Sequence, residues 1–196
     1  MAVIDYPYCF RFYTKYDRKG LVTEMKGDLH CHTTLSDGSL GIEDIIVQAK
    51  RTGIDFISIT NHETMSSISR AKVLGERHGV LTVPGVELSA WDKKRGRKVH
   101  ILCYAPQKPD RLEGICRRSC EIRTACAKEM IEKVTQLYPI TADSVLKHVG
   151  GAKSIFKQHI MHALIDYGYS THFYGRLNNE LFNMKTGSCI VEREYP

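Results

Sequence analysis

The feature that most constrains the fold is a regular alternation of short apolar runs and amphipathic segments between residues 26 and 105. The run IDFISIT at 54–60 is largely apolar, which is typical of a parallel strand covered on both faces. Patterns of helical period precede and follow it at 41–53 and 64–78, and a further apolar run, VLTVPGVELSA, occupies 80–90. Strand–helix–strand order at this spacing predicts parallel βα units.

The two ends of the chain have a different character. Strands are predicted at 27–33 and 99–105, the latter after a basic turn at 92–98, and the aromatic-rich residues 1–25 suggest a strand or an extended arm. Beyond Pro109 the spacing of apolar residues and the positions of Gly and Pro predict helices, followed by a short strand. The helices are expected at 110–137, 142–149, 155–167 and 174–184, and the strand at 188–193.

Composition narrows the class of protein. Of the 196 residues, 42% are hydrophobic and 26% charged, which excludes a disordered or collagen-like chain. No apolar run approaches the roughly 20 residues that span a bilayer, and no basic segment followed by an apolar one opens the chain. Seven cysteines without a C-x-x-C pair do not suggest a disulfide framework. We expect a cytoplasmic protein with no membrane partner.

Side chains that bind metals recur at the strand ends. His30 and His32 are one residue apart on a predicted strand, so the period of two places both imidazoles on one face. A single histidine at a strand end is most often a hydrogen-bonded structural residue, but six candidates at successive strands favour a metal site. The set is His30, His32, Asp37, His62, Glu87 and His100. Histidine and carboxylate together suit manganese, zinc or iron, and two to three divalent ions can share such a set with Glu87 or Asp37 bridging.

Four motifs around these residues resemble the PHP (polymerase and histidinol phosphatase) family of metal-dependent phosphoesterases. They are DLHCHTTLSDGSL, ITNHET, PGVELSA and VHILCY, and the resemblance covers residues 26–105. It implies a distorted (β/α) barrel in which all six residues bind metal. It also implies catalytic roles for Asp37, His62, Glu87 and His100.

Two later segments, SIFKQHIMHALIDYGY and NELFNMKTGSCIV, resemble one branch of that family, which acts on 3′,5′-nucleoside bisphosphates and short RNA 5′ ends. The resemblance implies an all-helical inserted subdomain and phosphate contacts from Lys157, His159 and Lys185. Lys157 stands where the branch has arginine, which gives up bidentate phosphate recognition. Without the motif context, Lys157 and Lys185 would be interpreted as solvated surface cations.

The expected fold is α/β, an incomplete PHP-type barrel with a helical insertion. Residues 1–25 are assigned to an N-terminal extension, 26–105 to the first half of the barrel, 106–187 to the insertion and 188–196 to the start of the returning barrel segment. The family's later Asp and His metal ligands have no counterpart in this sequence. A truncated gene product, an excised fragment and a divergent protein that recruits a second chain all explain this difference. We favour truncation or a fragment, and we expect impaired activity and self-association through the open barrel edge.

The function implied by the resemblance is metal-dependent hydrolysis of nucleotide phosphomonoesters, or of short RNA, by a metal-bound hydroxide. The partners are then a phosphorylated small molecule or nucleotide, or a short RNA. Two alternatives stay open: a non-catalytic remnant that binds metal or nucleotide, and a histidinol-phosphatase or polymerase-associated PHP domain. The inserted helices and the K-T-G segment argue against the second.

Overall fold

A computed structural model describes residues 9–16 and 22–195, with side chains from Met25 onward. Of the expected N-terminal extension, residues 1–8 and 17–21 lie outside the described residues. Residues 9–16 form a strand, which is one of the two forms that the sequence predicts for this region.

A four-stranded mixed sheet forms the first layer of the molecule. Its strands are β1 (Cys9–Tyr16), β2 (Val22–Cys31), β3 (Phe56–Ile59) and β4 (Leu81–Thr82), in the order β1-β2-β3-β4. β1 pairs with β2 antiparallel, whereas β2–β3 and β3–β4 are parallel. Helices α1 (Ile42–Arg51) and α2 (Ile68–His78) connect the parallel strands, so the predicted βα units are confirmed. Among the described residues the sheet is open, with β1 and β4 at its edges.

The apolar face of α1 builds the core of this layer. Ile45, Ile46 and Ala49 are buried, at the spacing that the sequence predicts for one helix face. Complete burial of a branched aliphatic side chain such as Ile46 stabilises the fold by about 1.5–3 kcal/mol. α2 ends at Gly79, whose φ of 67° is in the left-handed region that glycine adopts without strain.

The run at 80–90 is not one strand. It divides into β4 and β5 (Gly85–Asp92), because Pro84 has no N–H to continue the ladder in which Val83 donates to the carbonyl of Ile57 at 2.8 Å. β5 forms a two-stranded sheet with β6 (Arg97–Tyr104) across the turn at 93–96.

Two positions in this hairpin also differ from expectation. Glu87 is the third residue of β5 instead of lying near its end, and His100 lies within β6 instead of opening it. Both differences follow from the strand boundaries, since β5 begins after Pro84 and β6 begins three residues before His100.

The remainder of the described chain is helical, as predicted. The helices are α3 (Asp110–Leu137), α4 (Ala142–Leu146), α5 (Lys157–Asp166) and α6 (Arg176–Phe182). Their core is apolar and includes the fully buried side chains of Val134, Val145, Ile160 and Leu164.

The strand predicted at 188–193 is wrong. The N–H groups of Ser188 and Cys189 donate to the carbonyls of Glu180 and Leu181, each at 2.9 Å, so this segment satisfies the last turn of α6 instead of a neighbouring strand. Cys189 is fully buried in the helical core, which explains the apolar character of the segment.

The described chain divides into two compact units. The first comprises the described residues up to Leu88 together with His100–Pro109, and the second comprises Ser89–Val99 together with the described residues from Asp110 onward. Among the helices in the described ranges, none has both the length and the apolar character needed to cross a membrane.

Candidate metal centre

The end of β2 brings two imidazoles to one carboxylate. His30 lies in β2 and His32 follows it directly, and their ring centroids are 5.2 Å apart. The Nε2 atoms of His30 and His32 lie 3.1 and 2.9 Å from Oε2 of Glu87. The two histidines therefore share a face, as the period of two predicts.

Backbone pairing fixes the position of this carboxylate beside a third imidazole. His62 and Glu87 form a parallel β-bridge, in which the N–H of Glu63 donates to the carbonyl of Glu87 at 2.9 Å. Nδ1 of His62 lies 3.5 Å from Oε2 of Glu87. With 1% of its surface exposed, Glu87 is a buried carboxylate that must be compensated by its neighbours.

Asp37 and His100 complete the cluster. Oδ1 of Asp37 lies 2.9 Å from Nδ1 of His32, and its Oδ2 lies 3.8 Å from Nε2 of His62. Nδ1 of His100 contacts Oε1 of Glu87, and the His100 ring lies 5.0 Å from that of His62. All six residues singled out from the sequence thus lie together in the first unit.

These contacts shift the pKa values of the charged groups. Burial lowers the pKa of His32, but hydrogen bonds to Asp37 and Glu87 outweigh burial and raise it to about 9. Burial raises the pKa of Asp37, yet the contacts with His32 and His62 lower it to about 2. The pKa of Glu87 is likewise held below its usual range, by His100 and His32 against the effect of burial. Without an ion the cluster therefore pairs ionised carboxylates with a protonated His32.

The donor set fits a divalent metal ion. Both ring nitrogens of His32 face carboxylate oxygens, at 2.9 Å from Asp37 and 2.9 Å from Glu87, and a neutral imidazole has only one N–H to donate. Three groups of ligand atoms each lie within 4.8 Å of one another: His30–His32–Glu87, His32–Asp37–His62 and His62–Glu87–His100. A cation held by such a group replaces the proton that the imidazoles otherwise compete for. The mixture of imidazole and carboxylate suits manganese, zinc or iron.

Asn61 is a residue to which the sequence assigned no role. It is fully buried, and its Oδ1 accepts hydrogen bonds from the backbone N–H of Thr33 at 2.8 Å and from Oγ of Ser36 at 2.9 Å. These bonds hold the loop that carries Asp37 against the end of β3. Its place directly before His62 in a polar segment after an apolar strand was the signal available in the sequence.

The residues expected to contact phosphate lie in the second unit. Lys157 opens α5 and is partly buried, and burial lowers the pKa of its ammonium group. His159 is buried, and its Nδ1 accepts from the N–H of Phe156 at 3.2 Å, which leaves the ring proton on Nε2 when the imidazole is neutral. Lys185 lies beyond α6 with an exposed side chain, while its backbone N–H donates to Oδ1 of Asn183 at 2.9 Å.

A buried arginine near Lys157 and His159 was missed. Nη1 and Nη2 of Arg123, on α3, donate to Oγ of Ser154 at 3.1 Å and Oγ of Ser89 at 3.3 Å, and its Cζ lies 4.6 Å above the ring of Phe156. One turn earlier, Oγ of Ser119 is buried and has no hydrogen-bond partner among the described residues. Helical periodicity places Arg123 on the same face as the buried residues of α3. A cation on the apolar face of a helix is the feature by which the sequence could have identified this residue.

Comparison with known families decides the identity of the fold. The model of the PHP domain matches residues 28–169, which is most of the chain. The chain belongs to the PHP domain family. The resemblance that the four motifs indicate is therefore confirmed, and so is the fold class, a mixed α/β architecture of PHP type.

Several PHP relatives are similar over different lengths. The phosphoribosyl 1,2-cyclic phosphate 1,2-diphosphodiesterase of Eggerthella lenta is 35% identical over 170 residues, which cover 86% of this chain and 64% of that protein. The 5'-3' exoribonuclease of Haemophilus influenzae is 35% identical over 78 residues, which cover 39% of this chain and 27% of that protein. The chain thus spans less than two thirds of the length of these relatives.

A solved structure supports the same fold. A protein from Bifidobacterium adolescentis, described as a metal-dependent phosphoesterase, superposes with a TM-score of 0.77 at 26% identity. The superposition covers 87% of this chain and 59% of that one. The similarity thus extends beyond the metal-binding motifs into the helical unit.

Proposed function

We propose that this PHP domain is a metal-dependent phosphoesterase that hydrolyses phosphate esters of nucleotides or closely related ribose phosphates. The observation that carries the proposal is the cluster of four imidazoles and two carboxylates around the buried Glu87. The names of relatives in Eggerthella lenta and Haemophilus influenzae, a diphosphodiesterase and an exoribonuclease, support phosphoester chemistry.

Two to three divalent ions would be held by the six residues. The three groups of ligand atoms overlap, because His32, His62 and Glu87 each belong to two of them. This sharing supports more than one ion, which Glu87 or Asp37 would hold jointly with the imidazoles. When bound, divalent ions at such a site lower the pKa of water and neutralise charge on a phosphoryl group.

The six side chains of the cluster differ in their exposure to solvent, and this difference indicates which of them a substrate can reach. Glu87 is buried, whereas the side chains of His30 and His100 are 29% and 34% exposed. The substrate phosphate therefore approaches the cluster from the side of His30 and His100. Because Nδ1 of His100 faces Glu87, its Nε2 is the atom available to hydrogen-bond a substrate oxygen and to hold a proton there.

The cations of the second unit bind phosphate in this proposal. Lys157 is partly buried with a lowered pKa, so an anion beside it relieves the cost of burying its charge. His159 adds the N–H of Nε2, and Lys185 adds an exposed charge. The hydroxyl of Ser119, which has no hydrogen-bond partner among the described residues, supplies a further donor. A substrate with two phosphate groups matches this supply of donors.

Two substrate classes carry two phosphates on one ribose. The first is a 3′,5′-nucleoside bisphosphate or the 5′ end of a short RNA. The second is a phosphoribosyl cyclic phosphate, which is favoured by a specific observation: the similarity to the Eggerthella lenta diphosphodiesterase covers 86% of this chain, whereas that to the Haemophilus influenzae exoribonuclease covers 39%.

Hydrolysis of a substrate panel, followed by chromatography of the products, tests the proposal. The manganese-loaded chain would be assayed with 3′-phosphoadenosine 5′-phosphate, a 5′-phosphorylated oligoribonucleotide and a phosphoribosyl cyclic phosphate. Hydrolysis of at least one substrate, abolished in His32→Ala and kept in the matched control His172→Ala, is the expected result, since His172 is an exposed residue of the second unit. Turnover that is equal in His32→Ala, or metal binding with no turnover of any substrate, contradicts it; the latter result favours a non-catalytic remnant.

A further inference from the structure

The tip of the β5–β6 hairpin concentrates the positive charge of the chain. Residues 92–98 contain five Lys or Arg residues and one Asp, a net charge of +4, while the whole chain has a net charge of +6. The basic side chains are exposed. Asp92 lies 3.0 Å from Arg95 and 3.9 Å from Arg97, so one carboxylate faces two of the five cations.

An aromatic pair lies beside this charge. Trp91, the only tryptophan of the chain, stacks on Tyr195 with ring centroids 5.8 Å apart and an angle of 19° between the planes. Cζ of Arg193 lies 4.5 Å above the Tyr195 ring. Trp91 is nevertheless 41% exposed, which is a large apolar surface to leave in water.

The basic and aromatic side chains described above all belong to the second unit. Two acidic residues, Glu192 and Glu194, flank Arg193 in the sequence, and both are exposed to solvent.

Exposure to water is a sufficient explanation for the lysines and arginines of a hairpin tip. It does not explain why an exposed tryptophan lies next to five cations in the sequence. Single-stranded nucleic acids require this combination, because cations bind the backbone and aromatic faces stack with the bases.

We propose that the hairpin tip, Trp91 to Lys98 together with Tyr195, is a binding surface for single-stranded polynucleotide. Trp91 stacks with a base, and Lys93 and Lys94 pair with backbone phosphates. The choice of a nucleic acid as the occupant rests on the proposed function. β5 and β6 each carry a residue of the metal cluster, Glu87 and His100, and continue into the tip.

Binding without turnover tests this surface separately from catalysis. The full chain would be titrated in chelator, so that no hydrolysis occurs, with 5′-phosphorylated oligoadenylates of two to ten nucleotides. The readouts are the fluorescence of Trp91 and the anisotropy of a labelled oligonucleotide. We expect quenching of Trp91 fluorescence and an affinity that rises with the length of the oligonucleotide. The logarithm of the affinity should fall linearly with the logarithm of the salt concentration.

Variants identify the residues. Lys93→Ala/Lys94→Ala should reduce the salt slope by about 1.4, because each single-strand phosphate paired with a lysine contributes about 0.7 to that slope. Trp91→Ala should weaken binding about five- to hundredfold, the effect of removing the stacking platform of one base. The control Lys128→Ala/Lys147→Ala removes two exposed lysines of the same unit and should change neither quantity. Thermal melting of each variant verifies folding.

Several results overturn the proposal. The first is oligonucleotide affinity that is equal in the hairpin variants and in the control. The second is an absence of Trp91 quenching. The third is binding of inorganic polyphosphate that is as tight as binding of the oligonucleotide and is unaffected by Trp91→Ala. Binding to anionic phospholipid vesicles that is abolished in Lys93→Ala/Lys94→Ala, with oligonucleotide binding unchanged, overturns it in favour of a membrane surface. Oligonucleotide binding that depends on the hairpin, in a chain that hydrolyses nothing, supports this surface while contradicting the proposed catalytic function.

Discussion

Glu87 is the residue on which the candidate site depends. It is almost completely buried, and its two carboxylate oxygens contact four imidazoles, from His30, His32, His62 and His100. An ionised carboxylate in such a position is stable only because positive charge surrounds it, either protons on the imidazoles or metal ions.

Replacing Glu87 by Gln should abolish tight metal binding while leaving the chain folded. The amide has nearly the same shape but no charge, and it donates from one side, so it cannot bridge ions. We expect metal affinity to fall by more than about 100-fold, since changes to residues that only support metal ligands already cost 10–100-fold. Competition titration against a chelating dye measures the fall. Unchanged affinity would remove Glu87 from the ligand set.

Asn61 acts through other residues and is therefore a positioning residue. Asn61→Ala removes the acceptor of the buried Thr33 N–H and one of the partners of the Ser36 hydroxyl, which keeps its contact with Oδ1 of Asp37 at 3.2 Å, so we expect unfolding to become easier by about 1–3 kcal/mol. Metal affinity should fall as well, because the loop carrying Asp37 loosens. Denaturant unfolding of the metal-free chain and metal titration measure the two effects. The control Asn179→Ala, at an exposed position of α6, should change neither; reduced stability with full metal affinity would show a purely structural role.

At the scale of elements, the loop between β2 and α1 determines where Asp37 lies. A Cβ on Gly38 would overlap the carbonyl oxygen of His32 and lie 2.8 Å from the backbone nitrogen of Thr33, so backbone atoms leave no space for a side chain there. The N–H of Gly38 donates to the carbonyl of Thr33 at 3.1 Å. The loop is therefore closed so tightly that only glycine fits.

Gly38→Ala should displace this loop and weaken metal binding about tenfold or more, by analogy with other changes to residues that support metal ligands. Gly114→Ala is the matched control, because Gly114 lies in α3 and a Cβ there meets nothing within 4 Å. Alanine within a helix should stabilise that variant by about 0.5–1 kcal/mol. Metal titration and thermal melting of both variants test the pair of expectations; equal metal affinities would contradict the role given to Gly38.

The elements also show how far the sequence determined the structure. Apolar periodicity predicted α1, β3 and the four later helices, because each buries one face or both. It failed at 80–90, where one proline divided an apolar run, and at 188–193, where an apolar residue entered a helical core instead of a sheet. The periodicity of apolar residues indicates which residues are buried, but it does not indicate which groups their backbone atoms hydrogen-bond. Asn61 and Arg123 were missed because their roles depend on contacts with residues distant in sequence.

At the scale of the whole molecule, the chain comprises two units with separate cores, and all six candidate ligands belong to the first. A ligand that binds only the native state stabilises it, by an amount that grows with the logarithm of the ratio of ligand concentration to dissociation constant. The stabilisation should appear in the unit that contains the ligands.

Removal of metal with a chelator should therefore increase amide hydrogen exchange at 27–40, 57–63 and 85–88, where the ligands and their loop lie. Exchange in α4, α5 and α6 should change little, since these helices belong to the second unit. Hydrogen-exchange mass spectrometry of the metal-loaded and metal-free chain makes the comparison. Equal protection of 27–40 in both forms would contradict a metal centre at this position.

Metal content measures most directly whether the His/carboxylate cluster is a metal centre. The chain would be dialysed to equilibrium against manganese or zinc and analysed by elemental mass spectrometry, alongside Glu87→Gln and the control His172→Ala. We expect two to three ions per chain for the wild type and the control, and at most one for Glu87→Gln. Fewer than one ion per wild-type chain, or the same content in Glu87→Gln, would contradict a metal centre built around Glu87.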